Sequence, residues 1–293
     1  MKIILENRAF SFFMLLMVYA VATACGVVSY WALSTRLPAN LFWVNLLIAD
    51  VIATVVTFFF SLSFNNASVY DPYWSVQPIV IVIAYAAMAK NLGPAQVLPL
   101  VAVLVWGVRL TLNWAYTFHG LHAQDWRYTM LKEKTGKGYF FVNFIGIHLV
   151  PTLIVYGCTL PVVFTLYYSP VFNAGSAVFF LVSIAAVILQ GTADCQMHSF
   201  RKKKKGGFIR DGVWKYSRHP NYLGEIVMWW AVALAFVCIM PQRWYLIAGA
   251  LANTVLFLCV SIPMADKHQS RKPGFEAYKK ATRMLLPIKK KGA

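Results

Sequence analysis

The chain has 293 residues, of which 59% are hydrophobic and 13% charged, with a mean hydropathy of +0.60. A soluble globular chain carries about a quarter charged residues, so a water-soluble domain is excluded. The net charge of +17 sits in short segments between apolar runs, which suits orientation in a membrane and contact with anionic lipid. Nucleic acid is not an expected partner.

Apolar runs near 10–34, 41–62, 76–89, 95–117, 141–167, 172–192, 222–240 and 243–262 predict an all-α polytopic membrane helix bundle of seven or eight spans. The first run follows a short basic start, yet it exceeds a signal h-region and has no A-x-A-like cleavage site, so it reads as a retained helix. The third is short and reads as tilted or re-entrant. The last two are joined so closely around "MPQRW" that they form a hairpin.

Basic residues fall on one side of this pattern. Lys2 and Arg8 precede the first span, Arg127, Lys132, Lys134 and Lys137 follow the fourth, eight more lie from Arg201 to Arg218, and nine from Lys267 to Lys291. Arg36, Lys90 and Arg243 face the other side. The positive-inside rule then puts both termini in the cytoplasm with eight spans, and in a bacterium the membrane is the inner one. Cys25, Cys158, Cys195, Cys238 and Cys259 are dispersed without a CxxC, which argues against disulfides and zinc.

No internal repeat is present, and the polar stretches 118–140, 193–221 and 263–293 are each too short to bury a core. The chain divides into N-terminal transmembrane helices, 1–70, and a domain at 71–293 that holds every dense polar cluster. Ionisable groups inside spans are costly and are functional suspects, with helix packing as the bland alternative. Asp50 lies in the second span. Arg109 lies in the fourth, and Gln190 and Asp194 are four apart at the end of the sixth, on one helix face. An arginine near the rim suits an anionic ligand. Asn143 and His148 are five apart, and 3.6 residues per turn points them in different directions, so they do not read as a site.

The segment "ADCQMHSFRKKKKGGFIRDGVWKYSRHPNYLGE" (193–225) is richer. Glycines at 206, 207 and 212 allow tight turns, and Pro220 suits the first turn of the next helix. Asn221 and Glu225, four apart, together offer a donor and an acceptor, the complement of a primary carboxamide. Arg201, Lys215 and Arg218 can neutralise phosphates, and Trp214 or Tyr216 can stack on a base. The lysine run 202–205 reads as a basic turn under anionic lipid. No GxGxxG and no GxxxxGK[ST] occurs, so a nucleotide would have to be held by the membrane helices themselves.

In order and spacing, "ADCQMHSFRKK", "DGVWKYSRHPNYLGE" and "FEAYKKATRMLLPI" resemble the C-terminal half of the steroid 5α-reductase family, and sterol C14-reductases carry a similar "RHPNYLG". "WGVRL" at 106–110 and "QDWRY" at 124–128 look like its bacterial branch. The resemblance implies a membrane bundle that binds NADPH in a cytoplasmic pocket and reduces an electron-poor carbon–carbon double bond, with 71–293 as the reductase-like domain and 190–288 as its cofactor-binding half. It implies that Asn221 and Glu225 hold the nicotinamide carboxamide. Asp194, Arg201, Tyr216, Arg218 and His219 would line the ribose and phosphates, with Lys267, Arg271 and Tyr278 closing the site; Arg109 and Gln190, singled out by their placement inside spans, are added to the candidate cofactor-binding residues. Its acid is a tyrosine paired with a glutamate on a neighbouring helix. Here the glutamate position falls near Asp71 in "VYDPYWSV", but the tyrosine position falls at Trp106, so Asp71 with Tyr73 or Tyr128 is the expected substitute. The substrate would be a lipophilic, steroid- or sterol-like enone.

Two rival readings stand beside this one. Isoprenylcysteine and phospholipid methyltransferases share a "RHP-x-Y-x-G" turn and bind S-adenosylmethionine, but their tails carry an acid pair where this chain reads "MADKHQSRKPGFEAY". A 2′-phosphate wants that positive charge. The other rival is a non-catalytic lipid-binding membrane protein, which Trp106 supports.

Overall fold

The computed structural model describes residues 6–203 and 206–287; Lys2, Lys204, Lys205 and Lys289 to Lys291 of the charge pattern lie outside them. Among the described residues the chain is helical, and its β-structure amounts to an isolated bridge between Ser217 and Arg283. Seven helical runs are long and apolar enough to cross a membrane. They are α1 (Arg8–Ser34), Ala39–Ser63 containing α2 (Phe42–Ser63), α4 (Pro94–Thr117), Trp126–Tyr168, α7 (Ala174–Lys203), α8 (Pro220–Ile239) and Pro241–Gln269.

The third predicted span is α3 (Tyr73–Met88), whose 16 residues make it the short one expected. At 1.5 Å per residue it measures about 24 Å, less than the hydrocarbon thickness of about 30 Å. It starts beside the end of α4, where the hydroxyls of Ser75 and Thr111 are 2.8 Å apart. The run 126–168 is composite: α5 (Trp126–Thr135) is a surface helix without buried residues, and a π-helical stretch, Val142–Leu149, leads into α6 (Val150–Tyr168). The closing hairpin begins with a 3-10 segment, Pro241–Ile247, and continues as α9 (Ala248–Leu256), a second π turn (Phe257–Ser261) and α10 (Ile262–Gln269). A last helix, α11 (Phe275–Ala281), lies in the tail.

The chain forms two compact units. The first comprises Met1–Ile81 and Leu110–Tyr156, the second Val82–Arg109 and Gly157–Ala293. In the first, α1 packs closely on α2, with Ala22 and Ala53 in one cluster with Tyr70 and Tyr73. The turn after α2 is tied to the segment after α4, as Asn66 Nδ2 donates to the carbonyls of Leu121 (2.7 Å) and Ala123 (3.1 Å), and the Asp125 amide donates to Ser68 Oγ at 2.9 Å. These bonds satisfy backbone groups that a loop would otherwise leave unpaired.

In the second unit α7 lies along α8. Gly224 permits the approach, because a Cβ there would meet Ala186 O at 2.7 Å and the Gln190 side chain at 2.5 Å. Pro220 occupies the first turn of α8, as its missing N–H allows. The glycine-rich loop turns as anticipated, with positive φ at Gly206, Gly207 and Gly212. At Gly212 a side chain would also collide with Gln196, whose Oε1 accepts from the Val213 amide at 3.0 Å. All five cysteines are free thiols.

Candidate functional site

In the second unit, the polar residues of α4, α7 and the start of α8 converge. Glu225 is 5% exposed, and its carboxylate accepts Trp106 Nε1 at 2.8 Å on one oxygen and Trp229 Nε1 at 2.9 Å on the other. The two indoles meet edge to face, 4.7 Å between centroids. Trp106 is fully buried. Trp106, which stands where the resemblance would place a tyrosine, therefore holds a carboxylate.

One turn along α4, Arg109 is fixed by α7. Its Nη1 donates to Asp194 Oδ2 at 2.6 Å, and its Nη2 donates to Gln190 Oε1. The structure thus joins Arg109 to the Gln190–Asp194 pair of α7, and the charge of Arg109 is already neutralised by Asp194 rather than left open for an anion. Two N–H donors remain over: Arg109 Nε and Gln190 Nε2 are buried and have no hydrogen-bond partner among the described residues. Asn221 is half-buried, and its side chain forms no hydrogen bond among them.

The basic residues divide into two groups. Arg218 and His219 are buried around Asp266 of α10, with Arg218 Nη2 at 3.0 Å from Oδ2 and His219 Nε2 at 2.9 Å from Oδ1. Arg218 Nη1 also donates to Thr282 O at 2.6 Å, and Tyr278 donates its hydroxyl to Trp214 O. Burial pushes the Tyr278 phenol above its usual range. Arg218 and His219, expected beside the ribose and phosphates, and Tyr278, expected to close the site, clamp the tail to the 212–219 loop, and Asp266, which sequence reasoning missed, is the hub for the first two. The second group, Arg201, Tyr216, Lys267 and Arg271, is exposed. Lys272 of the basic tail belongs near this group: burial and then the Arg201 charge lower its pKa. The basic tail motif contained Lys272, but only proximity to Arg201 singles it out.

In the first unit, two tyrosine–carboxylate pairs form. Tyr128 of α5 donates to Asp71 Oδ1 at 2.6 Å. Burial pushes the Asp71 carboxyl up to about 6, against the opposing pull of Arg127 and of the Tyr128 bond. Arg127 is itself held by Asp125, 2.8 Å away, and lies 5.6 Å from the Tyr128 ring. Tyr73 is not joined to Asp71; it donates to Asp50 Oδ1 of α2 at 3.2 Å, and Gln77 Nε2 donates to Oδ2. Asp50, left undecided between packing and function, thus acquires a tyrosine partner on the next helix.

Asn143 and His148 are linked through the main chain. Both lie in the π-helical stretch, and His148 Nδ1 is 3.0 Å from Asn143 O, five residues back. No group of three or more metal-binding side chains occurs among the described residues.

No curated protein matches the chain, and neither does a solved structure. A family model described as a protein of unknown function, DUF1295, matches residues 57–282, a stretch that takes in every candidate named above except Asp50. With more than three-quarters of its length matched, the chain belongs to the DUF1295 family.

Proposed function

We propose that the protein is a membrane reductase that uses NADPH to reduce the carbon–carbon double bond of a lipophilic enone, as its resemblance to the steroid 5α-reductases implies. The observation that carries this reading is the pair of buried, unpartnered donors, Arg109 Nε and Gln190 Nε2, in the same cluster as the Glu225 carboxylate. A buried polar group without a partner is costly, so such atoms point to a ligand that satisfies them. A carboxamide offers an oxygen to the donors and an NH2 to Glu225 and Asn221. The exposed basic residues Arg201, Lys267 and Arg271 suit a 2′-phosphate.

The bound nicotinamide would supply a hydride; the chain supplies binding, orientation and a proton. Trp106 and Trp229 fix the rotamer of Glu225, and Asp194 fixes Arg109. As the acid, Tyr73 held by Asp50 fits the family pattern of a tyrosine and a carboxylate on neighbouring helices, and it lies among buried apolar residues. Asp71 with Tyr128 is the competing pair, at the end of the same unit. Eight crossings, with α3 completing the path beside α4, would place both termini in the cytoplasm.

The test is the thermal stability of the detergent-purified protein with NADPH, NADH and S-adenosylmethionine in parallel, since a ligand of the native state raises the midpoint. NADPH is expected to stabilise the wild type and to do so far less in Asn221→Ala and Glu225→Ala. Stabilisation by S-adenosylmethionine alone would make the site a methyl-donor pocket. With NADPH bound, loss of enone turnover in Tyr73→Phe but not in Tyr128→Phe identifies the acid.

A further inference from the structure

A narrow cleft lies in the second unit between α4, α6, α7 and α8, walled by Ala231, Ala235, Phe180 and Phe236 among others. Three hydroxyls also line it, but each donates to a carbonyl three or four residues back: Thr165 to Pro161, Ser176 to Asn173 and Ser183 to Phe180. The lining therefore has no donor to spare, and its occupant must be hydrocarbon. Along α8 the cleft runs from Ala231 to Ile239, about 12 Å at 1.5 Å per residue. An empty gap forfeits dispersion contacts, and a hydrocarbon chain restores them.

A cation stands at the Ile239 end. The Arg243 guanidinium lies over two rings of α6, 5.0 Å from the centroid of Phe164 and 4.4 Å from that of Tyr168, and Phe164 is 6.4 Å from Phe236 of the cleft wall. The rings hold the guanidinium without giving it an anion: among the described residues its side chain forms no ion pair and no hydrogen bond. Arg243 is half-buried, whereas Lys90, in the loop before α4, is exposed. Trp244 and Tyr245 beside Arg243, and Tyr167 and Tyr168 at the end of α6, are exposed aromatic residues of the kind that gather at a membrane–water interface. Interfacial anchoring alone would explain these rings. It does not explain an apolar cleft that leads from the cation into the depth of the membrane.

We propose that Arg243 and the cleft bind one anionic phospholipid from the leaflet at this end of α8, with its phosphate on the guanidinium and an acyl chain in the cleft. A guanidinium pairs a phosphate through two parallel N–H donors, and the rings leave all of those donors to the lipid. The cation meets its counter-charge at the interface, and the chain fills the gap between the helices. Glu225 lies about 21 Å from Ile239 along α8, so the lipid site is separate from the polar cluster and does not rest on the reductase reading.

Native mass spectrometry of the full-length protein in mild detergent, titrated with dioleoyl phosphatidylglycerol, tests the site. Lipid held at the basic segments is common to all of the variants and cancels between them. The wild type is expected to retain one lipid about tenfold more tightly than Arg243→Gln, and about tenfold more tightly than Ala235→Leu, which fills the cleft. Lys90→Gln is expected to match the wild type. Ile239→Trp, which covers the mouth from a half-buried position, is expected to weaken binding as Ala235→Leu does and replaces it should that variant not fold. Equal retention in the wild type and Arg243→Gln overturns the site, and so does an equal loss in Lys90→Gln and Arg243→Gln, which would mean diffuse charge. Loss in Arg243→Gln with full retention in both cleft variants would reveal a headgroup contact only and overturn the acyl-chain cleft.

Discussion

Trp106 on α4 and Glu225 on α8 are 119 positions apart, and a single 2.8 Å bond from an indole N–H to a carboxylate oxygen joins them in a fully buried setting. Two indoles satisfy the carboxylate there, and among the described residues it forms no ion pair. Trp106→Phe removes one of these donors and keeps most of the ring. It is expected to destabilise the protein by about 1–3 kcal/mol, the usual cost of leaving a buried acceptor short of a partner. Denaturant unfolding in mild detergent checks this, and an unchanged midpoint would mean that the bond holds nothing.

The Arg109–Asp194 pair makes a different demand. Its side chains are 18% and 15% exposed, so solvent softens the interaction. Arg109→Met strands the Asp194 carboxylate, whereas Arg109→Met with Asp194→Leu removes both charges. The single variant is expected to be the less stable of the two by about 1–2 kcal/mol. A double-mutant cycle completed with Asp194→Leu measures the coupling directly.

Asp71 sets a pH dependence. Its carboxyl is raised to about 6 in the folded protein, mainly by burial, against about 3.9 in an unfolded chain. Between those values the folded state binds more protons, so the contribution of this group to stability is present below about pH 4 and is lost as the pH rises through about 6. Thermal midpoints recorded from pH 4 to 7.5 are expected to fall less steeply in Asp71→Asn than in the wild type.

Close packing of α7 on α8 depends on Gly224. Gly224→Ala would put a methyl group against the Ala186 carbonyl and the Gln190 side chain, at an expected cost of about 1–3 kcal/mol for overpacking. Because Gln190 is displaced, the NADPH-dependent thermal shift is expected to shrink as well. A variant with the wild-type shift would separate the packing role of Gly224 from the site.

Asp266 anchors the tail through Arg218 and His219. Asp266→Asn leaves the buried guanidinium without its counter-charge, so the segment bearing Lys279 and Lys280 is expected to loosen. Limited tryptic digestion, followed by mass spectrometry, should cleave that segment faster than in the wild type, while the rest of the chain resists equally.

Much of the fold was legible because it follows from composition and chain-local rules. Apolar runs announced the crossings, a 16-residue run announced the short helix, and the glycines and Pro220 announced their own turns. The row of candidates from Asp194 to Glu225 was legible for a related reason, since dense polar chemistry next to a span has few bland explanations. What stayed hidden were the pairings. In a helix that is apolar all round, periodicity does not reveal rotation, so nothing in the sequence could join Tyr73 to Asp50 rather than to Asp71, or Trp106 to Glu225. Arg218 read as a free cation until Asp266, 48 residues later, was seen against it. The sequence determined a multi-helix membrane protein and singled out its dense polar segments. Tertiary structure decided their partners, because charges and donors far apart in the chain are neutralised only where helices meet.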